Sequence, residues 1–471
     1  MAKKAPSGFW GILMVFGPSL VWAGEYIGSG EVIIATRTGA ALGTAVLWAV
    51  VAGIALKYWI GLCGARYTVA TGEGMIDSFA RAPGGRYWLV PIVFIGQIFA
   101  GVTSVGALAV AAATFMGQLV PLGEHTTIIW GAVVTVLACI VVGSGRFSIL
   151  KSIMGLLVLV IVIGVIYVAV HALPGARDLL VGAFGFQVPE VPAWVTAADP
   201  DVTSVWSEVL PLLGWAAGGF ASQVWYTYWV LGAGYGMAEE RAWGMPADEA
   251  RLVGMSAEDA EGVRPWLKVV AWDATFALVI GVVVTGAFLI AGAGILGPAQ
   301  TLPKGPEVAF ELSRLFSDRW AETGGFLFVL AGTAAMISTQ LGQLAGWPRL
   351  LADCFRHMVP GFGRYKPRKQ FLLFLALFLV TNLTICALLG TKPVTLVKMG
   401  AIFDGLLLVP LQALAVAYAL FVAQKRLLSA EAWAALKPRW YHLAGLIVAF
   451  AVFAYFCVFQ VPQVVRAMFG G

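Results

Sequence analysis

Charge is what this sequence has least of. Only 12% of its 471 residues are Asp, Glu, Lys or Arg, against about 25% in an ordinary soluble domain. With 60% hydrophobic residues beside them, a water-soluble globule is excluded and a bilayer becomes the expected solvent. Cysteine is scarce as well. Cys63, Cys139, Cys354, Cys386 and Cys457 lie far apart, mostly inside apolar runs, so neither a disulfide scaffold nor a cysteine metal centre is expected. The four histidines, His125, His171, His357 and His442, fall at span ends or in loops and form no ligand cluster. No nucleophile–base pair, phosphate-binding loop or metal motif is present, so an enzyme is not expected and no catalytic residue or cofactor is assigned. A net charge of +5 needs no nucleic-acid partner, because a transmembrane orientation bias accounts for it.

Long apolar runs are what the sequence does have. A spanning helix needs about 20 mostly apolar residues. Eleven stretches qualify: about 9–34, 42–63, 88–119, 125–145, 149–172, 204–233, 267–297, 322–350, 370–391, 395–424 and 441–465. The first begins after Lys3 and Lys4 without a small-residue cleavage site, and reads as a span rather than a signal peptide. The longest loops, about 173–203 and 234–266, look like connections, so residues 1–471 form one transmembrane domain with no obligate protein partner. With the N-terminus inside, the inner segments hold 21 Lys/Arg and the outer ones 8. That bias predicts N-terminus in and C-terminus out in a bacterial-type inner membrane. Trp10, Tyr87, Trp88, Trp130, Trp440 and Tyr441 read as interface belts.

Two spans are interrupted at mid-membrane depth. Span 1 carries Gly24-Glu25-Tyr26-Ile27-Gly28-Ser29-Gly30-Glu31, and span 6 carries Gly214-Trp215-Ala216-Ala217-Gly218-Gly219-Phe220-Ala221-Ser222-Gln223. A helix-interior glycine costs about 1 kcal/mol against alanine, and an ionised group at mid-bilayer at least about 2.5 kcal/mol. Such costs are tolerated where an unwound backbone lines a cavity and binds something. The breaks stand five spans apart, as an inverted repeat of spans 1–5 and 6–10 would place them, with an eleventh span added. The predicted fold is therefore an all-α polytopic membrane protein whose helices 1 and 6 unwind near Gly28 and Gly219–Ser222 and face each other.

At these residues the chain resembles the NRAMP family of divalent-metal transporters. Gly17-Pro18-Ser19 and Tyr26 are similar to the start of that family's span 1, and Ala70-Thr71-Gly72 to a family turn. Ser338-Thr339-Gln340-Leu341-Gly342-Gln343-Leu344-Ala345-Gly346 looks like its span-8 segment. The resemblance runs through spans 1–10 in order and implies a leucine-transporter-type (LeuT) fold and secondary transport. The metal site departs from the pattern. Where the family has Asp-Pro-Gly-Asn and Met-Pro-His, this chain has Gly28-Ser29-Gly30-Glu31 and Ala221-Ser222-Gln223. A carboxylate and a soft thioether are lost, which points away from transition metals.

The altered motifs suggest a different substrate. Free N–H groups at Gly28, Ser29 and Gly30, the positive end of a helix dipole and the Ser29 hydroxyl make an anion position, with Ser222 and Gln223 as facing donors. The residues lead to a small anion; resemblance to a divergent, NRAMP-related branch implies bicarbonate moved with sodium. Ser338 and Thr339 are placed to hold Na⁺ with span-1 carbonyls, or to bond back to their own helix. Glu25 and Glu31 can neutralise the cation, carry a proton or pair with Lys57. Asp273, Asp404 and Gln412 are further intramembrane polar groups, either functional or helix-joining. A competing reading has Glu25, Glu31 and Asp404 binding a hard divalent cation such as Mg²⁺, with H⁺ or Na⁺ as coupling ion. A receptor-like or structural membrane protein is the weakest alternative, since paired breaks have little structural purpose.

Overall fold

The computed structural model describes residues 16–239, 243–245, 247–303, 308–389 and 393–469, with a few isolated positions outside those ranges. Residues 9, 10 and 12–15, the expected start of span 1, and 390–391, the expected end of span 9, lie outside the described residues. Among the described residues nine helices are long and apolar enough to cross a membrane. The first half of span 1 and both halves of span 6 are too short to enter that set, and the second half of span 1 runs on into span 2 as the stretch Gly30–Thr71. Span 1 divides into α1 (Pro18–Tyr26) and a second half that enters through π-helical turns at Gly30–Ala35 and continues as α2 (Thr36–Leu42). Span 2 is α3 (Leu47–Thr71), and spans 3 to 5 are α4 (Leu89–Leu119), α5 (Thr126–Gly143) and α6 (Phe147–His171). Span 6 is α7 (Trp206–Trp215) and α8 (Phe220–Ala233).

The second half of the chain repeats the theme. α9 (Ala257–Ala291), α10 (Val308–Met358) and α11 (Pro367–Leu389) form spans 7 to 9. Span 10 is α12 (Pro393–Ile402) and α13 (Val409–Tyr418), joined by π-helical turns at Phe403–Leu407, and span 11 is α14 (Trp440–Tyr455) running on to Phe469. Burial sorts these helices into layers. The spanning stretch of α10 is 78% buried inside the protein, whereas those of α5, α11 and α14 are each 33% buried. α10 is therefore an axial helix, and the others form a rim whose outward side chains, such as Ile140, Val380 and Val458, are exposed and apolar. That is the pattern lipid contact requires, since lipid tails are as apolar as leucine.

The broken halves pack crosswise, α1 against α8 and the second half of span 1 against α7. Trp22 of α1 stacks on Tyr226 of α8, with ring centroids 4.1 Å apart. A Cβ on Gly30 would come within 2.9 Å of the Trp215 Cβ at the end of α7. Two residues counted in the sequence as outer-segment charges, Arg37 and Lys398, prove buried. Arg37 donates to Glu208 (3.0 Å), Asp199 (2.5 Å) and the Pro303 carbonyl (2.7 Å), and Lys398 donates to the same Glu208 at 2.8 Å. This network ties α2, α7 and α12 together at one end of the two breaks.

Candidate ion-binding site

The break in span 1 is a two-residue interruption at Ile27 and Gly28. Gly28 is fixed by close approach: a Cβ there would meet the Thr339 hydroxyl oxygen of α10 at 2.2 Å. The break in span 6 covers Ala216–Gly219, slightly earlier in the chain than the expected Gly219–Ser222, so Ser222 and Gln223 lie within α8. Ala217 (φ 60°) and Gly218 (φ 69°) are both left-handed. Gly219 admits no side chain, since its Cβ would meet Asp404 Oδ2 at 1.9 Å.

Lys57 holds this turn. Its ammonium, fully buried in the middle of α3, donates to the carbonyls of Leu213 (2.8 Å), Gly214 (2.5 Å), Ala216 (3.0 Å) and Gly218 (2.7 Å). Leu213 and Gly214 are carbonyls that the end of α7 leaves without helical partners, and those of Ala216 and Gly218 belong to the unwound turn itself. Among the described residues Lys57 forms no ion pair, so the expected partnership with Glu25 or Glu31 is not what the structure contains. An intramembrane lysine is a strong pointer to a site by itself, but its partners are backbone atoms that no sequence motif marks.

Between the breaks lies a small cavity lined by Glu25, Ser29, Trp225, Thr339, Gln343 and Asp404, together with Tyr26 and the glycines of the breaks. Its volume is about 20 Å³ for the centre of a water-sized sphere, room for about one water molecule. Two carboxylates face it, each anchored to a different element. Glu25 accepts from Ser222 Oγ at 2.7 Å, and Ser222 in turn accepts from the Trp22 indole at 3.0 Å. Asp404, on the π-helical turns of span 10, accepts from Ala221 N–H and from Gln97, both at 3.1 Å, so it caps the start of α8. Glu31, on the π-helical turns of span 1, lies beside the cavity. It accepts from Gly28 N–H at 2.9 Å through Oε2, and its buried Oε1 has no partner. Both turns that carry a carboxylate are π-helical, a distortion frequent at functional sites.

Several polar atoms that line the cavity are buried without a partner: Ser29 Oγ, Thr339 Oγ1, Gln343 Oε1 and the Trp225 indole nitrogen. Buried polar groups are ordinarily hydrogen-bonded, so such a cluster makes this cavity the candidate site. Thr339, Gly342, Gln343 and Gly346 follow helical spacing along one face of α10. Glu25 lies against Gly342 and Trp225 against Gly346, at distances that leave no room for a Cβ.

Several expected roles need correction. Gly28 does not offer a free donor, because Glu31 has taken its N–H. The Ala221 N–H is taken by Asp404. Ser222 donates to Glu25, and Gln223 donates to the Ala217 carbonyl at 2.9 Å from outside the cavity. Ser338 bonds back to the Ala335 carbonyl of its own helix at 2.9 Å, so of the Ser338–Thr339 pair only Thr339 reaches the break. Asp273 accepts from Ser19 (2.7 Å) and Tyr226 (2.9 Å), and Gln412 donates to the Phe220 carbonyl (2.9 Å); both join helices. Gln97, Trp225 and Gln343 were not singled out from the sequence. Gln343 stood in the quoted span-8 segment, and helical spacing from Thr339 would have found it.

No family model matches this sequence. An uncharacterized protein of Pasteurella multocida is 24% identical over 219 residues, 46% of this chain and 47% of that protein, so the match spans about half of the relative. Among solved structures, the manganese transporter of Eremococcus coleocola, in a mutant form, superposes with a TM-score of 0.71 at 16% identity, covering 99% of this chain and 90% of that one. A nucleobase-cation-symport-1 family transporter gives 0.53 at 13% identity over 96% of this chain and 95% of its own. MhsT in complex with L-phenylalanine gives 0.50 at 14% identity over 96% and 99%. These likenesses establish the fold, which is the LeuT-type architecture that the resemblance of the motifs implies.

Proposed function

We propose that this chain is a secondary active transporter that moves a small anion, bicarbonate, together with a monovalent cation through the cavity between broken spans 1 and 6. The observation that carries the reading is the mixed chemistry of that cavity. Glu25 and Asp404 face it and supply the negative charge that a desolvated Na⁺ or H⁺ requires. The hydroxyls of Ser29 and Thr339 and the Trp225 N–H line the same space without partners and supply donors for an oxyanion. Opposite charges held close together, away from water, each strengthen the other's binding. The buried Lys57 ammonium, bonded to the Gly218 carbonyl at the cavity's edge, adds positive charge behind the anion.

The closed cavity is too small for the pair, so loading requires the halves of the broken helices to part. Bicarbonate itself rests on the resemblance of the altered span-1 and span-6 motifs. A second reading, transport of Mg²⁺, draws on the carboxylates Glu25, Glu31 and Asp404 about the breaks, although among the described residues no three acidic, histidine or cysteine side chains stand together as a metal site in the closed arrangement. The test is uptake by the purified protein in liposomes, with bicarbonate and Mg²⁺ each offered against imposed Na⁺ or H⁺ gradients. Bicarbonate uptake driven by the cation gradient supports the first reading, and Mg²⁺ uptake alone replaces it with the second.

A further inference from the structure

Away from the breaks, a groove of about 900 Å³ opens between α3, the first turns of α9 and the start of α14. Five basic side chains line it, Arg66, Arg264, Lys268, Lys437 and Arg439, against one acid, Glu261. Glu261 is already paired with Arg264 at 3.0 Å. Among the described residues the other four cations have no carboxylate in ion-pair range, and the buried Nε of Arg66 has no hydrogen-bond partner at all. Four unpaired cations on one concavity repel each other, and the arrangement is relieved by an anion that bridges them. Depth identifies the kind of anion. The rim carries Trp440, 78% exposed, and Tyr441, and Trp440 opens the spanning stretch Trp440–Val464. Indole and phenol rings at the end of a spanning helix mark headgroup level.

We propose that this groove binds the phosphate headgroup of an anionic lipid, and that a headgroup with two phosphodiesters, as in cardiolipin, matches its four free cations. Soluble phosphate shares the chemistry but not the depth, and it lacks acyl chains to lie along the apolar rim.

The experiment uses the full chain in phosphatidylcholine nanodiscs with and without cardiolipin, reading retained lipid by native mass spectrometry after transfer to detergent. The wild type should keep cardiolipin in preference to phosphatidylcholine. Replacing Arg66, Lys268 and Arg439 together by Gln should weaken retention roughly a hundredfold, at about 1 kcal/mol per cation. Neutralising the exposed Arg364, Lys366 and Arg368 should leave it unchanged. The single variant Arg66→Gln, expected to lose about fivefold, serves if the triple variant fails to fold. Equal cardiolipin retention by the wild type and the groove variants would overturn the proposal. So would inorganic phosphate raising the melting temperature as much as cardiolipin does.

Discussion

Replacing Lys57 by Met keeps the length and apolar stem of the side chain and removes only the ammonium. In the structure that ammonium serves four carbonyls at 2.5–3.0 Å, with three protons to donate. Hydrogen bonds from a charged donor contribute about 1.5–3 kcal/mol each, so three give roughly 5–9 kcal/mol. Burying the ammonium costs several kcal/mol in return. The neutral carbonyls stay behind without partners in a dry interior, where an unpaired buried acceptor costs about 1–3 kcal/mol; set against the burial cost that is returned, the net loss is about 3–5 kcal/mol. Met should therefore lower the melting temperature by roughly 3–5 °C, because the unfolding entropy of a chain of 471 residues is about 1 kcal/mol/K. Transport should fall further than stability alone accounts for, because the left-handed turn at Ala217 and Gly218 would no longer be held. The assays are thermal melting in detergent and gradient-driven uptake in liposomes. A variant that melts and transports like the wild type would refute the claim that Lys57 holds the break open.

Other consequences follow from the same contacts. Gly28→Ala should collide with Thr339 and cost at least about 2 kcal/mol, and adding Thr339→Ala should recover part of that loss; an additive double-mutant cycle in melting would contradict the close approach. Ser222→Ala removes the bridge between Trp22 and Glu25 and should cost about 1–2 kcal/mol, with uptake reduced; unchanged uptake would place Glu25 outside the transport cycle. Arg37→Gln leaves Glu208 and Asp199 without their main partner and should destabilise the protein by about 3–5 kcal/mol, measured by melting. Asp77, in the connection between spans 2 and 3, is buried, which would raise its pKa, but Arg356 and His357 overcome this and hold the carboxyl below its ordinary range. A depressed carboxyl contributes stability that is present at neutral pH and lost on acidification below its unfolded pKa. Asp77→Asn should thus lower the melting point at pH 7, by a gap that narrows towards pH 3; a gap constant with pH would contradict the pairing.

The span pattern and the two breaks were legible because they follow from local composition. Apolar runs of spanning length and glycines beside Glu25, Glu31 and Ser222 are read one segment at a time. What the sequence could not convey was which atoms meet. The span-6 turn falls at Ala216–Gly219 rather than three residues later because Lys57 of span 2 and Asp404 of span 10 grip its two ends, and both contacts are distant in the chain. Ser338 and Thr339 look equivalent as a pair of hydroxyls, yet one helical step turns Ser338 back to Ala335 and leaves Thr339 against Gly28. Glu31 and Ala221 show the same limit. Each was read as part of an open site, and each has a hydrogen bond that closes part of it. The π-helical turns under Glu31 and Asp404 leave no mark in hydrophobic periodicity, so the aim of those two carboxylates emerged only in three dimensions.

The central claim, that Glu25 and Asp404 hold the cation that drives anion entry, is tested most directly by bicarbonate uptake into liposomes under an inward Na⁺ or H⁺ gradient, comparing the wild type with Glu25→Gln and Asp404→Asn. Uptake by the wild type should follow one of the two gradients, and each variant should lose at least about tenfold of it, as expected when a buried ion loses about 1.4 kcal/mol or more of binding. Uptake that ignores both gradients, or that persists unchanged in both variants, would contradict the account.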